Sequence, residues 1–140
     1  ERLLIDGCSQ AGETTIPQVF RTHSLQHFFD RYTAEIGADH RRAVLDVPHA
    51  FTDNTAALEY TVETDPAEQK LIPLPHLSWH GTEPLWLAVG SERGWSNHER
   101  RLFTTHQFQA YSMGARILRT ETAVAAAVAV CLAQSGAWNG

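Results

Sequence analysis

The sequence has few of the residues that build disulfide-rich or metal-binding proteins. Only two cysteines occur among 140 residues, and neither Cys8 nor Cys131 has a CxxC partner. This usage gives no support to a disulfide framework or a zinc site, and it favours a reducing, cytoplasmic setting. The eight histidines are scattered, and the pair His76 and His80 has no glutamate between its members. We therefore expect no bound metal.

Long hydrophobic runs are also missing. The longest, Ala123 to Ala133, is far shorter than the roughly 20 residues that a membrane span needs, and no signal-peptide pattern opens the chain. Hydrophobic residues at 43% and charged residues at 19% are typical of a globular protein. We predict one soluble domain covering residues 1–140, which opens within a helix and is part of a longer protein.

Lysine is nearly absent, because Lys70 is the sole example, and the net charge is −5. An acidic balance argues against nucleic-acid binding over the whole surface. The charge is uneven, however: residues 1–89 carry six basic and thirteen acidic groups, whereas residues 90–140 carry five arginines and three glutamates. The planar guanidinium suits phosphate and carboxylate groups, so the arginines of residues 90–140 are candidates for anion binding.

Several motifs that would reveal an enzyme class are missing as well. The sequence has no Gly-Lys-Ser or Gly-Lys-Thr of a phosphate-binding loop and no Gly-x-Gly-x-x-Gly of a dinucleotide site. It also lacks the Gly-x-Ser-x-Gly elbow of a serine hydrolase, and its cysteines lie in apolar helical settings. Nucleotide-hydrolysing, dinucleotide-dependent and hydrolytic chemistry therefore have no support here.

Periodicity and capping signals predict an α/β protein. We predict helices over residues 1–10, 24–36, 96–106 and 120–134, and strands over residues 43–47, 58–62, 85–89 and 108–112. Strand, glycine loop and helix follow one another twice after residue 85, which is typical of a parallel sheet. The last helix is nearly all alanine and valine, so we expect it to be buried on most sides or to lie at a subunit interface.

Three loops follow the ends of predicted strands. They span Asp46–Phe51, Gly90–Ser96 and Met113–Thr120. In open α/β sheets, ligands bind beyond the carboxyl ends of the strands, so we expect these loops to converge on a ligand if their strands are neighbours. Glycines in the second and third loops allow close backbone approach, although they could serve only as turns. Trp95 is a candidate wall of the ligand site.

Two segments of the last fifty residues carry a family resemblance. Residues 87–96 read LAVGSERGWS and precede Glu99, and residues 113–123 read MGARILRTETA. They resemble the signature of the RsmE-type 16S rRNA (uracil-N3) methyltransferases of the SPOUT superfamily. Residues 5–19, with Gln10 and Pro17, are similar to a helix and turn of the same family.

The resemblance implies an α/β fold with a parallel sheet, flanking helices and a C-terminal trefoil knot. It also implies a homodimer that methylates N3 of a uridine in small-subunit rRNA with S-adenosylmethionine (SAM) held by the three loops. The implied cofactor-binding residues are Leu45, Pro48, Gly90, Glu92, Gly94, Met113, Gly114, Ile117, Leu118 and Arg119. Arg119 is the expected catalytic cation, with Glu121 and Gln10 orienting it or the base, and Arg93 and Arg116 are the expected RNA contacts. Glu92 is the acidic group expected to offset the sulfonium charge.

Two departures from the family pattern matter. The usual loop reads Gly-Pro-Glu-Gly-Gly-Phe, but Ser91 and Arg93 replace the proline and the second glycine here. Family members also carry an N-terminal PUA-like RNA-binding domain and a first strand and helix, which this sequence lacks. A non-catalytic SPOUT-fold paralogue that serves binding or assembly is therefore the alternative. A third reading is an enzyme for another adenosine-containing ligand.

Overall fold

Helices and short parallel strands alternate along the chain. A computed structural model describes residues 2–11, 14–47 and 71–138. The helices are α1 (Arg2–Ala11), α2 (Leu25–Tyr32), α3 (Asn97–Thr105) and α4 (Thr120–Ser135), and the strands are β1 (Arg41–Leu45), β2 (Ile72–Pro73), β3 (Leu85–Val89) and β4 (Gln109–Ser112). Two 3₁₀ helices span Thr33–Glu35 and Leu74–His76. The predicted strand at residues 58–62 lies outside the described residues.

The four strands form one parallel sheet in the order β2-β4-β1-β3. β1 lies between β3 and β4, so that Leu45 pairs with Val89 on one side and with Tyr111 on the other. The carboxyl ends of these three strands therefore meet at one edge of the sheet. The predicted parallel α/β architecture is confirmed, and β3 has the predicted bounds.

β1 ends two residues before the predicted boundary. The Asp46 amide still donates to the Tyr111 carbonyl oxygen at 2.9 Å, but the Val47 amide donates to the Asp46 side chain at 2.8 Å. A carboxylate thus takes the place of the next ladder acceptor, and the chain turns away from the sheet.

Helix termini follow the capping signals of the sequence. Ser24 accepts a hydrogen bond from the His27 amide and begins α2. Ser96 and Glu99 form a capping box that begins α3. α2 is shorter than predicted, because the chain tightens into a 3₁₀ turn at Thr33, whose hydroxyl donates to the Phe29 carbonyl oxygen.

The sheet buries apolar side chains on both faces. On β1, Ala43 and Leu45 join a cluster with Ala127 and Cys131 of α4, and Val44 joins a cluster on the opposite face. The second cluster contains Phe29, Phe103, Phe108 and Ala110 in addition to Val44. Successive side chains of a strand point to opposite faces, so α4 covers one face while α2 and α3 cover the other. Phe29 of α2 is fully buried in this second cluster.

Among the residues that the structure describes, α4 packs mainly through one side. Ala127 and Cys131 are buried, whereas Val124 and Val128 are 41% and 43% exposed. Gly136 ends the helix in the left-handed conformation. No helix among the described residues is long and apolar enough to cross a membrane.

Candidate cofactor site

A cleft opens where the three loops meet at the carboxyl edge of the sheet. Every one of the three loops contributes to its lining. The lining residues are Leu45, Asp46, Val47, Val89, Gly90, Ser91, Gly94, Met113, Gly114, Arg116, Leu118 and Ala123. The loops converge because β3 and β4 both pair with β1.

Most of the cofactor residues implied by the family resemblance lie in this cleft. Leu45, Gly90, Gly94, Met113, Gly114 and Leu118 line it, as does Arg116. Glu92 and Arg93 are exposed on the second loop and do not contribute to the lining. Pro48 lies outside the described residues.

The residues with an expected catalytic role lie outside the lining. Arg119 is the N-cap residue of α4, and Glu121 lies in the first turn of that helix. Gln10 is exposed on α1. Ile117 is 45% exposed and does not contribute to the lining.

Five lining residues were not selected from the sequence: Asp46, Val47, Val89, Ser91 and Ala123. Asp46, Val47 and Ser91 lie inside loops that the sequence had marked as ligand-facing. Val89 is the last residue of β3. Position at the carboxyl end of a strand was therefore the signal that could have identified these four residues. Ala123 carried no such signal, because it lies within α4.

Two glycines of the cleft have backbone conformations that suit only glycine. Gly114 has φ +97°, and a Cβ atom built there would meet no described heavy atom within 4 Å. Gly94 has φ +70°, and a Cβ atom there would lie 3.0 Å from Val47 Cγ2. Gly94 thus permits close contact between two loops, whereas Gly114 keeps space open beside the cleft.

Trp95 holds the second loop against the end of β1. Its indole nitrogen donates to the Leu45 carbonyl oxygen at 2.8 Å, and its ring packs edge-on against Phe103 with centroids 4.7 Å apart. The ring also lies behind Gly90, where an added Cβ atom would be 3.0 Å from it. The expectation that Trp95 walls the ligand site needs correction, because the residue supports the wall from behind and is not itself in the lining.

The third loop is joined to the second by a hydrogen bond. The Thr120 hydroxyl donates to the Gly90 carbonyl oxygen at 3.2 Å. α4 therefore begins against the second loop, and Ala123 reaches the cleft one turn later.

The charged groups of the lining are one carboxylate and one guanidinium. Asp46 is bound on both oxygens by Arg100 of α3, at 2.6 Å from Nε and 3.2 Å from Nη2. Arg116 lines the cleft and is exposed. Apolar walls from Leu45, Met113 and Leu118, with backbone groups made accessible by glycine, suit a ligand that combines a flat apolar part with polar groups. Among the described residues, no group of three or more His, Cys, Asp or Glu could hold a metal ion.

Comparison with known proteins identifies the family. The family model described as an RNA methyltransferase domain matches residues 1–132. The chain belongs to this RNA methyltransferase family. It is 39% identical over 138 residues to the ribosomal RNA small subunit methyltransferase E of Treponema pallidum, and the match covers 97% of this chain and 44% of that protein.

Solved structures show the same fold. The methyltransferase E of Neisseria gonorrhoeae, bound to SAM, superposes with a TM-score of 0.68 at 24% identity and covers 94% of this chain and 45% of its own. A Legionella pneumophila protein in complex with bound SAM gives a TM-score of 0.57 at 27% identity, covering 94% of this chain and 43% of its own. The RNA methyltransferase family and fold class inferred from the motifs are thus confirmed, and the trefoil knot stays a prediction. The chain spans less than half the length of the relatives it matches.

Proposed function

We propose that this chain is the cofactor-binding domain of a SAM-dependent rRNA methyltransferase of the RsmE type, acting on N3 of a uridine in small-subunit rRNA. The cleft formed by the three loops carries the proposal, because it lies where a parallel sheet binds ligands and contains most of the residues that the family motif selects. The relatives support it through the names and bound SAM of the proteins described above.

The cleft residues fit a bent, polar cofactor. SAM supplies an electrophilic methyl group on a positively charged sulfur. Gly90, Gly94 and Gly114 expose backbone groups that can bind the polar parts of the cofactor. Leu45, Met113, Leu118 and Val89 provide apolar contacts for a flat ring. Pro48, Glu92, Ile117 and Arg119 complete the set that the family resemblance implies.

Arg119 is the proposed catalytic cation. The neutral imide nitrogen of uracil is a poor nucleophile, so N3 must either lose its proton to solvent or have its developing negative charge stabilised. A cation beside the pyrimidine oxygens stabilises that charge in both cases. Arg119 lies one residue beyond the cleft-lining Leu118, at the start of α4. Glu121 and Gln10 are proposed to orient Arg119 or the base.

The remaining arginines near the cleft are the proposed RNA contacts. Arg93 is exposed on the second loop, and Arg116 is exposed at the cleft. Both can reach a phosphate from solvent, and a guanidinium binds phosphate through two parallel hydrogen bonds. Residues 1–89 carry more acidic than basic groups and would repel phosphate. The sheet edge that carries Arg93 and Arg116 is therefore the more favourable surface for RNA.

We propose that the domain acts as a homodimer through α4. Val124 and Val128 lie one turn apart and remain more than 40% exposed on a helix that is otherwise alanine-rich. Burying these side chains against a second copy would remove apolar surface from water, which is favourable at roughly 25 cal/mol per Å².

Calorimetric titration with SAM and S-adenosylhomocysteine tests the proposed function. We expect saturable binding of both compounds by the wild-type chain and loss of binding in Gly114→Trp, because the indole is expected to fill the cleft. Gly114→Ala is the matched control, since it carries the same backbone strain at φ +97° with little added volume. Absence of wild-type binding at millimolar ligand would contradict the proposal.

The non-catalytic alternative rests on the second loop. Ser91 lines the cleft and Arg93 is exposed beside it, at the two positions where the family pattern differs. Cofactor binding with no methyl transfer to any RNA, even when an N-terminal RNA-binding region is supplied, would favour a binding or assembly role. Binding of another adenosine nucleotide in place of SAM would favour the third reading.

A further inference from the structure

One ion pair at the cleft joins residues that are far apart in the sequence. Arg100 donates to both carboxylate oxygens of Asp46, at 2.6 and 3.2 Å. The Arg100 and Asp46 side chains are only 11% and 6% exposed. A pair this well covered is little screened by salt, and its two-point geometry fixes orientation as well as distance.

Both partners are bound to further groups that hold them in place. Asp46 Oδ1 also accepts from the Val47 amide at 2.8 Å, which sets the turn that leaves β1. Arg100 Nη1 donates to Asn97 Oδ1 at 3.3 Å, and α3 itself begins at the capping box of Ser96 and Glu99. The pair therefore connects the first loop to the helix that follows the second loop.

Gly94 lies directly on the pair. A Cβ atom at Gly94 would be 3.3 Å from Asp46 Oδ1 and 3.7 Å from Arg100 Nη2. Because Gly94 and Asp46 both line the cleft, the ion pair determines how closely two of its walls approach. The family motif does not include either charged residue, and the capping box would begin α3 without Arg100.

We propose that Asp46 and Arg100 form a positioning pair that holds the first and second loops in the binding geometry of the cleft. Arg100 acts through Asp46, and neither side chain needs to enter the chemistry. The proposal rests on the proposed function, because the bound ligand used to test it is SAM.

The test uses three variants: Arg100→Met, the double variant Asp46→Asn/Arg100→Met, and Arg100→Lys. Each variant is compared with the wild type. Arg100→Met leaves a buried carboxylate unpaired and could fail to fold, whereas the double variant leaves no buried charge and is expected to fold. SAM affinity is measured by calorimetry well below each melting temperature. Amide hydrogen exchange of residues 45–47 and 90–95 is measured without ligand.

We expect the double variant to bind SAM about tenfold more weakly than the wild type. The amide hydrogens of residues 90–95 should also exchange faster in this variant than in the wild type. Arg100→Lys should recover part of the affinity, because it keeps the charge but loses the two-point contact. Arg42→Met is the matched control. Arg42 lies at the opposite end of β1 and donates to the Gly37 carbonyl oxygen at 2.7 Å and to Gln107 Oε1 at 2.6 Å.

The control should lower the melting temperature while leaving SAM affinity and loop exchange unchanged. Wild-type affinity and wild-type exchange in the double variant would overturn the positioning role. If the wild-type chain does not bind SAM, the proposed function fails, and the exchange measurement decides the positioning role by itself.

Discussion

The indole of Trp95 donates to the carbonyl oxygen of Leu45 at 2.8 Å. This bond joins the second loop to the last residue of β1, and both Leu45 and the neighbouring Gly94 line the cleft. The ring that makes the bond is held by Phe103 in the core. Core packing below the sheet edge thus determines the position of a wall of the cleft.

Trp95→Phe should destabilise the domain by about 1–3 kcal/mol, because the Leu45 carbonyl oxygen loses its partner and the smaller ring leaves space beside Phe103. Chemical unfolding in urea measures the change. Trp138→Phe is the control, since Trp138 is 63% exposed and should change stability by less than about 0.5 kcal/mol. Equal stability of the two variants would contradict a structural role for the indole.

Arg119→Ala should lower the rate of methyl transfer by about 100-fold or more, because the pyrimidine anion loses its stabilising cation. SAM affinity should fall as well, because Arg119 also belongs to the proposed cofactor-binding set, so the rates are compared at saturating SAM. Incorporation of labelled methyl groups into small-subunit rRNA gives the rate, and calorimetry gives the affinity. Full methylation by Arg119→Ala would rule out the assigned role, and Arg119→Lys should retain part of the rate because it keeps the charge.

Replacing Val124 and Val128 with glutamate should convert a dimer into a monomer, because charged side chains would have to be buried at the interface. Both residues are exposed in the single chain, so its folding should be preserved. Analytical ultracentrifugation measures the mass, and circular dichroism verifies the fold. Ala34→Glu, an exposed site near α2, is the control. A wild-type chain that sediments as a monomer would disprove the dimer.

Burial raises the pKa of the Cys131 thiol above its ordinary value of 9.0. The folded state therefore favours the neutral thiol, so its contribution to stability is complete below the pKa of the unfolded chain and is lost as the pH rises through the folded pKa. We expect a loss of stability above about pH 9 that is smaller in Cys131→Ala, as measured by urea unfolding at several pH values.

Thiol labelling gives an independent measurement of the same feature. At about pH 8 the half-buried Cys8 should react with a thiol reagent well before Cys131, which reacts only when the domain opens. Equal labelling rates for the two cysteines in the folded protein would contradict the burial of Cys131.

Local signals in the sequence predicted much of the fold. β3 at Leu85–Val89 appears as predicted, and α3 begins at the capping box of Ser96 and Glu99, where the helix over residues 96–106 was predicted. Both depend on residues close together in the chain: an apolar run bounded by proline and glycine, and a serine three residues before a glutamate. β2 was missed because a two-residue strand, Ile72–Pro73, has too little pattern to identify and lies in a proline-containing stretch.

The family motifs selected the glycines and apolar residues of the cleft, but they did not include its acidic group. Glu92 was expected to serve as that group, whereas the carboxylate in the lining is that of Asp46. Sequence position alone could not distinguish them, because both residues lie in loops at the carboxyl ends of strands. Arg100 of α3 binds Asp46 on both oxygens, a contact between residues 54 positions apart that no local pattern reveals.

The sequence by itself determined where the helices begin, which residues alternate into the core and which loops carry the glycines of the family motif. Only the tertiary structure decided that β1 lies between β3 and β4, and that Asp46 meets Arg100. Capping and alternation depend on neighbours within a few residues. Strand order and long-range ion pairs depend on burying both faces of the sheet at once, and that requirement acts on the whole chain.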